Sequence, residues 1–247
     1  MRAAMLGILV CAACSSSSGG RAVSEPARAR AGGAESAAGP SSSEKRLLLS
    51  LARAAIEMHL RGEGAPGLDE ACRTAYLSEP LAVFVTLTTR QGELRGCIGM
   101  FEPHEPLYRN VIDRAVAAAT RDPRFRPVRL DELAGLGLEI SILTRPQPLA
   151  FSSPEDLLAR LRPGEDGVIL ESPAGSSTYL PQVWEQLPDK AQFLSRLCQK
   201  HGAQADCWRR QGAGVQTYQA IVFGEHDTQG IEQDWFVPGK IFRCSGR

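Results

Sequence analysis

Apolar residues recur at helical spacing from Leu47 onward: Leu47, Leu48, Leu51, Ala52, Ala55 and Ile56 form one stripe, which His59 extends. Ser41 and Glu44 have capping-box spacing ahead of it. A helix is therefore predicted to open there and to stop at the Gly62, Gly64, Pro66, Gly67 cluster. From Leu81 to Thr89 the period falls to two. Val83, Val85 and Leu87 share one face while Phe84, Thr86 and Thr88 share the other, the pattern of a half-buried strand. Arg90-Gln91-Gly92-Glu93 supplies a turn, and Leu94 to Met100 returns antiparallel beside that strand.

Pro106 suits a first helical position, and Leu107, Val111, Ile112, Ala115, Ala118 and Ala119 give the helix an apolar face. Asp122-Pro123 ends it, because the residue before a proline is pushed out of helical geometry. Leu138 to Ile142 alternates as a further strand. Ser153 starts a short helix through Leu157, Leu158 and Leu161, with Glu155 and Asp156 at the favourable end of its dipole. Val168-Ile169-Leu170 and Ser177 to Leu180 read as a second hairpin. A helix bearing Phe193, Leu194, Leu197 and Cys198 follows, closed by Gly202. Tyr218 to Phe223 reads as one last strand. Hairpins and helices intermix without strict βαβ alternation, which predicts an α+β fold with a mostly antiparallel sheet and flanking helices.

Charge adds little to that picture. Basic and acidic residues balance at 28 each, so no net field draws the chain to nucleic acid. No apolar run reaches the roughly 20 residues of a membrane-spanning helix. The first residues change the picture more. Met1-Arg2, the apolar run Ala3 to Val10 and Cys11-Ala12-Ala13-Cys14 have the layout of a secretory leader. They resemble a bacterial lipobox in which Cys14 becomes the lipidated first residue of the mature chain, although Cys11 stands where a lipobox usually carries an aliphatic. Ser15 to Ser43 is dominated by Ser, Ala, Gly, Arg and Pro, the composition of a flexible tether. The expected layout is a leader over residues 1–14, a tether over 15–43, a folded domain over 44–225 and a C-terminal extension over 226–247. Trp235, Phe236 and Phe242 make that extension too apolar to stay undocked. The expected location is the cell envelope, with the domain held on the membrane by its lipid at the outer membrane or periplasmic face.

Five cysteines follow the leader: Cys72, Cys97, Cys198, Cys207 and Cys244. An odd number leaves at least one outside any bridge within the chain. An oxidising envelope permits a bridge such as Cys198 to Cys207, but spacing does not give the connectivity. Cys97 stands out because Gly96 precedes it and Gly99 follows closely. Such glycines mark either room for an approaching group or a tightly packed turn.

Leu94-Arg95-Gly96-Cys97-Ile98-Gly99, Asp122-Pro123-Arg124-Phe125-x-Pro127 and Asp131-Glu132-Leu133 resemble the AMMECR-one domain family, whose prokaryotic members are called AmmeMemoRadiSam system protein A. Glu139 to Leu143, Gly164-x-Asp166-Gly167-Val168, Tyr179 to Trp184 and Phe193-Leu194 with Leu197-Cys198-x-Lys200 follow in the same order, so the resemblance covers Glu44 to Glu225. Met100 stands where the family usually has threonine, and Lys200-His201-Gly202 where its pattern is Lys-Ala-Gly. The resemblance implies two subdomains around a cleft, with Memo-type and radical-SAM proteins as companions. It implies no settled reaction.

Two functions follow. The first is a module that binds a small molecule or a protein, tethered to the envelope. The second is a cysteine-dependent enzyme with Cys97 as nucleophile in acyl or thiol transfer. Arg95 or Arg124 would then depress the thiol pKa, His104 would act as general base, and Gly96 and Gly99 would admit the substrate. Tyr179 and Trp184 flank Pro181 and suit the wall of a cleft. No cofactor is expected. His59, His104, His201 and His226 are scattered, so no metal set is expected either; Cys198 and His201 share a helical face but read more simply as a helix end.

Overall fold

The computed structural model describes residues 39–228, 235–236 and 240–244. The leader with Cys14, and the tether as far as residue 38, lie outside the described residues, as do the side chains of Trp235 and Phe236. Helix α1 (Ser42–Leu60) opens on the expected capping box: Ser41 Oγ accepts from the Glu44 N–H at 3.2 Å, and Glu44 Oε2 accepts from the Ser41 N–H at 2.7 Å. Strand β1 (Gly67–Leu68) and α2 (Ala75–Ser78) lead to the hairpin β2 (Val83–Thr88) and β3 (Leu94–Met100). Helix α3 (Leu107–Thr120) is followed by α4 (Leu130–Leu133) and β4 (Gly137–Leu143). Pro106 precedes α3 in an extended conformation, φ −52° and ψ 148°, one position outside the helix that its ring geometry suggested.

Strands β2, β3 and β4, with the later β9 (Ala220–Gly224), make an antiparallel sheet in the order β3-β2-β4-β9. Register places Thr86 opposite Cys97 and Glu139, and Phe84 opposite Gly99 and Ser141. Alternation then divides the sheet into two faces. Val83, Val85, Leu87, Ile140 and Ile142 pack under α1 and α3, against Leu48, Leu51, Ile56, Val111 and Ala118. Phe84, Cys97 and Leu143 face the other way.

The second sheet runs β5-β8-β6-β7, from β5 (Gln147–Pro148), β6 (Gly167–Ser172), β7 (Gly175–Tyr179) and β8 (Gly214–Tyr218). Helices α5 (Pro154–Arg160) and α6 (Lys190–Lys200) cover it around an aromatic core. Trp184 stacks on Phe193 with ring centroids 3.6 Å apart, and its indole N–H donates to the Asp166 carbonyl at 2.6 Å. A disulfide joins Cys198 to Cys207. The two sheets meet where Phe84, Cys97 and Leu143 pack against Leu180 and Tyr218.

Two features depart from the sequence pattern. The stretch Tyr218 to Phe223 is not one strand. It breaks at Gln219, whose N–H donates to Thr144 Oγ1 at 2.9 Å and whose carbonyl accepts the Thr144 N–H at 2.9 Å, so the chain steps from the second sheet to the first. The far end of the chain also returns: β11 (Ile241–Cys244) pairs in parallel with β1 and antiparallel with β10 (Trp235–Phe236). Phe242 enters the first core, and a disulfide joins Cys72 to Cys244 across 172 residues.

Candidate functional site

Cys97 sits in the middle of β3 with 4% of its surface exposed, enclosed by Phe84, Leu143, Leu180 and Tyr218. Thr86 Oγ1 donates to its sulfur at 3.4 Å. Its main chain is clamped as well. The Cys97 N–H donates to Asp122 Oδ2 at 2.9 Å, and its carbonyl accepts from Arg124 Nη2 at 3.3 Å. Arg124 donates to the same buried carboxylate through Nε at 2.9 Å and Nη2 at 2.7 Å. Because β3 ends its sheet among the described residues, these outward backbone groups face no strand there, and the Asp-Pro-Arg turn supplies the partners one would give. Burial works against the ionised Asp122. The hydrogen bonds from Arg124 and from the Cys97 N–H outweigh it and hold the carboxyl below the ordinary aspartate value.

The room left by the two glycines is taken by the protein itself. A Cβ on Gly96 would lie 2.2 Å from the Ala118 carbonyl oxygen of α3, and one on Gly99 would lie 2.2 Å from the Phe84 ring. Gly96 thus lets a helix backbone approach the strand, and Gly99 lets an aromatic ring lie over it. Arg95 donates to Glu132 and, at 2.9 Å, to the Arg126 carbonyl, so it fastens β3 to α4. Its partner Glu132 is held below the ordinary glutamate value chiefly by that hydrogen bond. His104 is exposed on the loop after β3. Of the residues grouped around the thiol by sequence, Arg124 is brought onto the cysteine backbone, whereas Arg95 engages α4.

Tyr179 and Trp184 both touch Phe193, Tyr179 edge-on at 5.3 Å. Trp184 is core, 3% exposed. Tyr179 is half-buried, with the Lys200 ammonium 4.9 Å from its ring centroid. Neither ring lines the concave surface that the following residues help to form. An open groove of about 390 Å3 runs between β9 and the segments that precede β6 and follow β7, lined by Glu165, Pro181, Gln182, Glu185, Gln219 and Val222 among others. Cys97 is not part of its lining. Gln182 Oε1 is buried there without a hydrogen-bond partner among the described residues, and Val222 on β9 is 43% exposed. Sequence reading placed Pro181 at a cleft but missed Gln182 and Val222, because an amide and an exposed valine carry no local signal; only the sheet-to-sheet step at Gln219 brings them together.

Comparison with known proteins agrees with this architecture. A protein of Methanothermobacter thermautotrophicus is 41% identical over 183 residues, covering 74% of this chain and 94% of its own length. Protein Ta0236 of Thermoplasma acidophilum is 39% identical, covering 73% and 87% respectively. The crystal structure of the uncharacterized protein PH0010 from Pyrococcus horikoshii superposes with a TM-score of 0.63 at 37% identity, over 73% of this chain and 91% of that one. The AMMECR1 family model matches residues 49–223. On these matches, which span most of the folded chain, the protein belongs to the AMMECR1 family.

Proposed function

We propose that this chain is a binding module held at the cell envelope, and that the groove beside β9 takes an extended, cationic segment of a partner protein. The observation that carries the reading is the groove's chemistry. Glu165, paired with Arg162 at 2.9 Å, and the exposed Glu185 place carboxylates on its lining, with the Gln182 amide beside them. The exposed Val222 lies on β9, which ends its sheet among the described residues and offers apolar contact beside those carboxylates. The Memo-type and radical-SAM companions implied by the resemblance are the first proteins to test. Lipidation at Cys14 is the proposed anchor. Two disulfides, Cys72–Cys244 and Cys198–Cys207, support an oxidising compartment.

The alternative, catalysis by Cys97, is opposed by the enclosure of its sulfur and the occupation of both flanking glycine sites. The binding reading is tested by titrating the isotope-labelled chain with matched extended peptides carrying Lys and Arg or Asp and Glu. Expected are amide shifts at Gln182, Gln219 and Val222 with the basic set only, weakened at least tenfold by Glu185→Lys. Equal response to both sets, or none to either, sinks the reading. The anchor is tested by Cys14→Ala, which should release the protein from membranes.

A further inference from the structure

His201 caps the C-terminal end of α6, half-buried against the β6–β7 hairpin and beside the Cys198–Cys207 disulfide. Both of its ring nitrogens face serine hydroxyls. Ser172 Oγ lies 2.9 Å from Nε2, and Ser177 Oγ lies 3.0 Å from Nδ1. The direction of these bonds follows from counting hydrogens. Ser177 spends its single hydroxyl hydrogen on the Leu197 carbonyl, 2.7 Å away, so toward His201 it can only accept. The ring hydrogen therefore sits on Nδ1, and Nε2 turns its lone pair to the Ser172 hydroxyl. Ser172 Oγ also accepts the Ala174 N–H at 3.2 Å, which fixes its rotamer at the end of β6. Burial pushes the imidazole below the ordinary histidine value, opposed in part by a hydrogen bond to Leu197, so the base stays neutral at pH 7.

We propose that Ser172 is a second chemical site of this protein, a serine nucleophile whose proton is taken by His201 and which accepts the acyl or phosphonyl group of an activated ester. The serine, the base and the group that orients the base stand in the order such chemistry requires. In the acyl case Ser172 Oγ bonds to the ester carbonyl carbon while its proton passes to Nε2. The carbon–alkoxide bond then breaks, and the alkoxide leaves with the proton from Nε2. Water repeats the two steps to release the acid and restore the hydroxyl. Ser177 is a positioning residue that holds the tautomer. Its hydroxyl carries no charge to stabilise an imidazolium, so the expected reactivity is below that of a triad completed by a carboxylate. Ser172 lies at a hairpin end beside the Pro173-Ala174-Gly175 turn, where Gly175 takes φ +141°, so the fitting substrate class is an acyl group offered at the surface.

The test is a fluorophosphonate probe on the whole chain with disulfides intact. Oγ forms a bond to phosphorus, fluoride leaves, and the hydroxyl proton goes to Nε2. Mass mapping should place one adduct on Ser172. His201→Gln should slow its formation by about 100-fold or more. Ser177→Ala should slow it by about five- to tenfold, with Ser177→Thr restoring most of the rate because it returns the hydroxyl. Thermal melting confirms that each variant is folded. A folded wild type without an adduct at Ser172, or a folded His201→Gln labelled at the wild-type rate, overturns the proposal.

Discussion

Cys97 and Ser172 lie on the two different sheets of this protein and are treated in opposite ways. Cys97 has the more reactive atom and the more suggestive surroundings in sequence, yet an aromatic and aliphatic wall closes over its sulfur, and Asp122 and Arg124 tie down its main chain. Ser172 has an inert hydroxyl in an unremarkable hairpin, yet it points at an imidazole whose free lone pair is set by two further hydrogen bonds. The first arrangement uses polar groups to seal a sheet edge. The second uses them to orient a base. The element type of the nucleophile decided neither outcome; access and proton arrangement did.

The contrast breaks most visibly if Cys97 proves reachable. Iodoacetamide should modify Cys97 in the folded chain on the order of 100-fold more slowly than in the unfolded chain, followed by mass spectrometry across pH. Rapid alkylation of the native protein below pH 8 would return Cys97 to the catalytic reading.

Next in size is Gly96→Ala. The added methyl meets a backbone carbonyl rather than a flexible side chain, so α3 must move away from β3. A loss of about 3 kcal/mol or more is expected in urea melts, from overpacking plus disturbed helix packing. Tolerance of this change would mean that the glycine keeps space for a ligand.

Asp122→Asn should cost about 1–3 kcal/mol, because the buried carboxylate loses its charge-assisted bonds to Arg124. The sign with pH is fixed by the lowered Asp122 value. The clamp's contribution is complete above the unfolded aspartate pKa of about 3.9 and disappears as pH falls through the lower folded value. The variant's stability curve should therefore be flatter than wild type at that acidic end. The smallest effect is Cys97→Ser, about 1–2 kcal/mol by thermal melting, since a more polar hydroxyl replaces a sulfur packed among Phe84, Leu143, Leu180 and Tyr218.

Much of the architecture was legible because its causes are local. The capping box at Ser41 and Glu44, the period-two run from Val83 to Thr88 and the turn at Gly92 specify their elements through neighbouring residues alone. The family motifs also mark real structure: the Asp-Pro-Arg turn caps β3, and the Tyr179 to Trp184 stretch joins the second sheet to its aromatic core. The break at Gln219 was not legible, since Thr144, which satisfies both of its backbone groups, is 75 residues away. The pairing of β1 with β11 and the bridge from Cys72 to Cys244 depend on contacts of still longer range. The surroundings of His201 were hidden for the same reason. Its helix position was readable from Leu194, Leu197 and Gly202, but the serines facing it belong to another hairpin.

Chain periodicity and punctuation by themselves dictated the helices, the hairpins and the α+β class, because hydrogen bonding and amphipathic burial act over a few residues. Tertiary structure alone decided which polar groups face one another, which glycine gaps are filled and which sulfur or oxygen can be reached. Those depend on distances between segments remote in sequence, and local residue spacing contains no record of them.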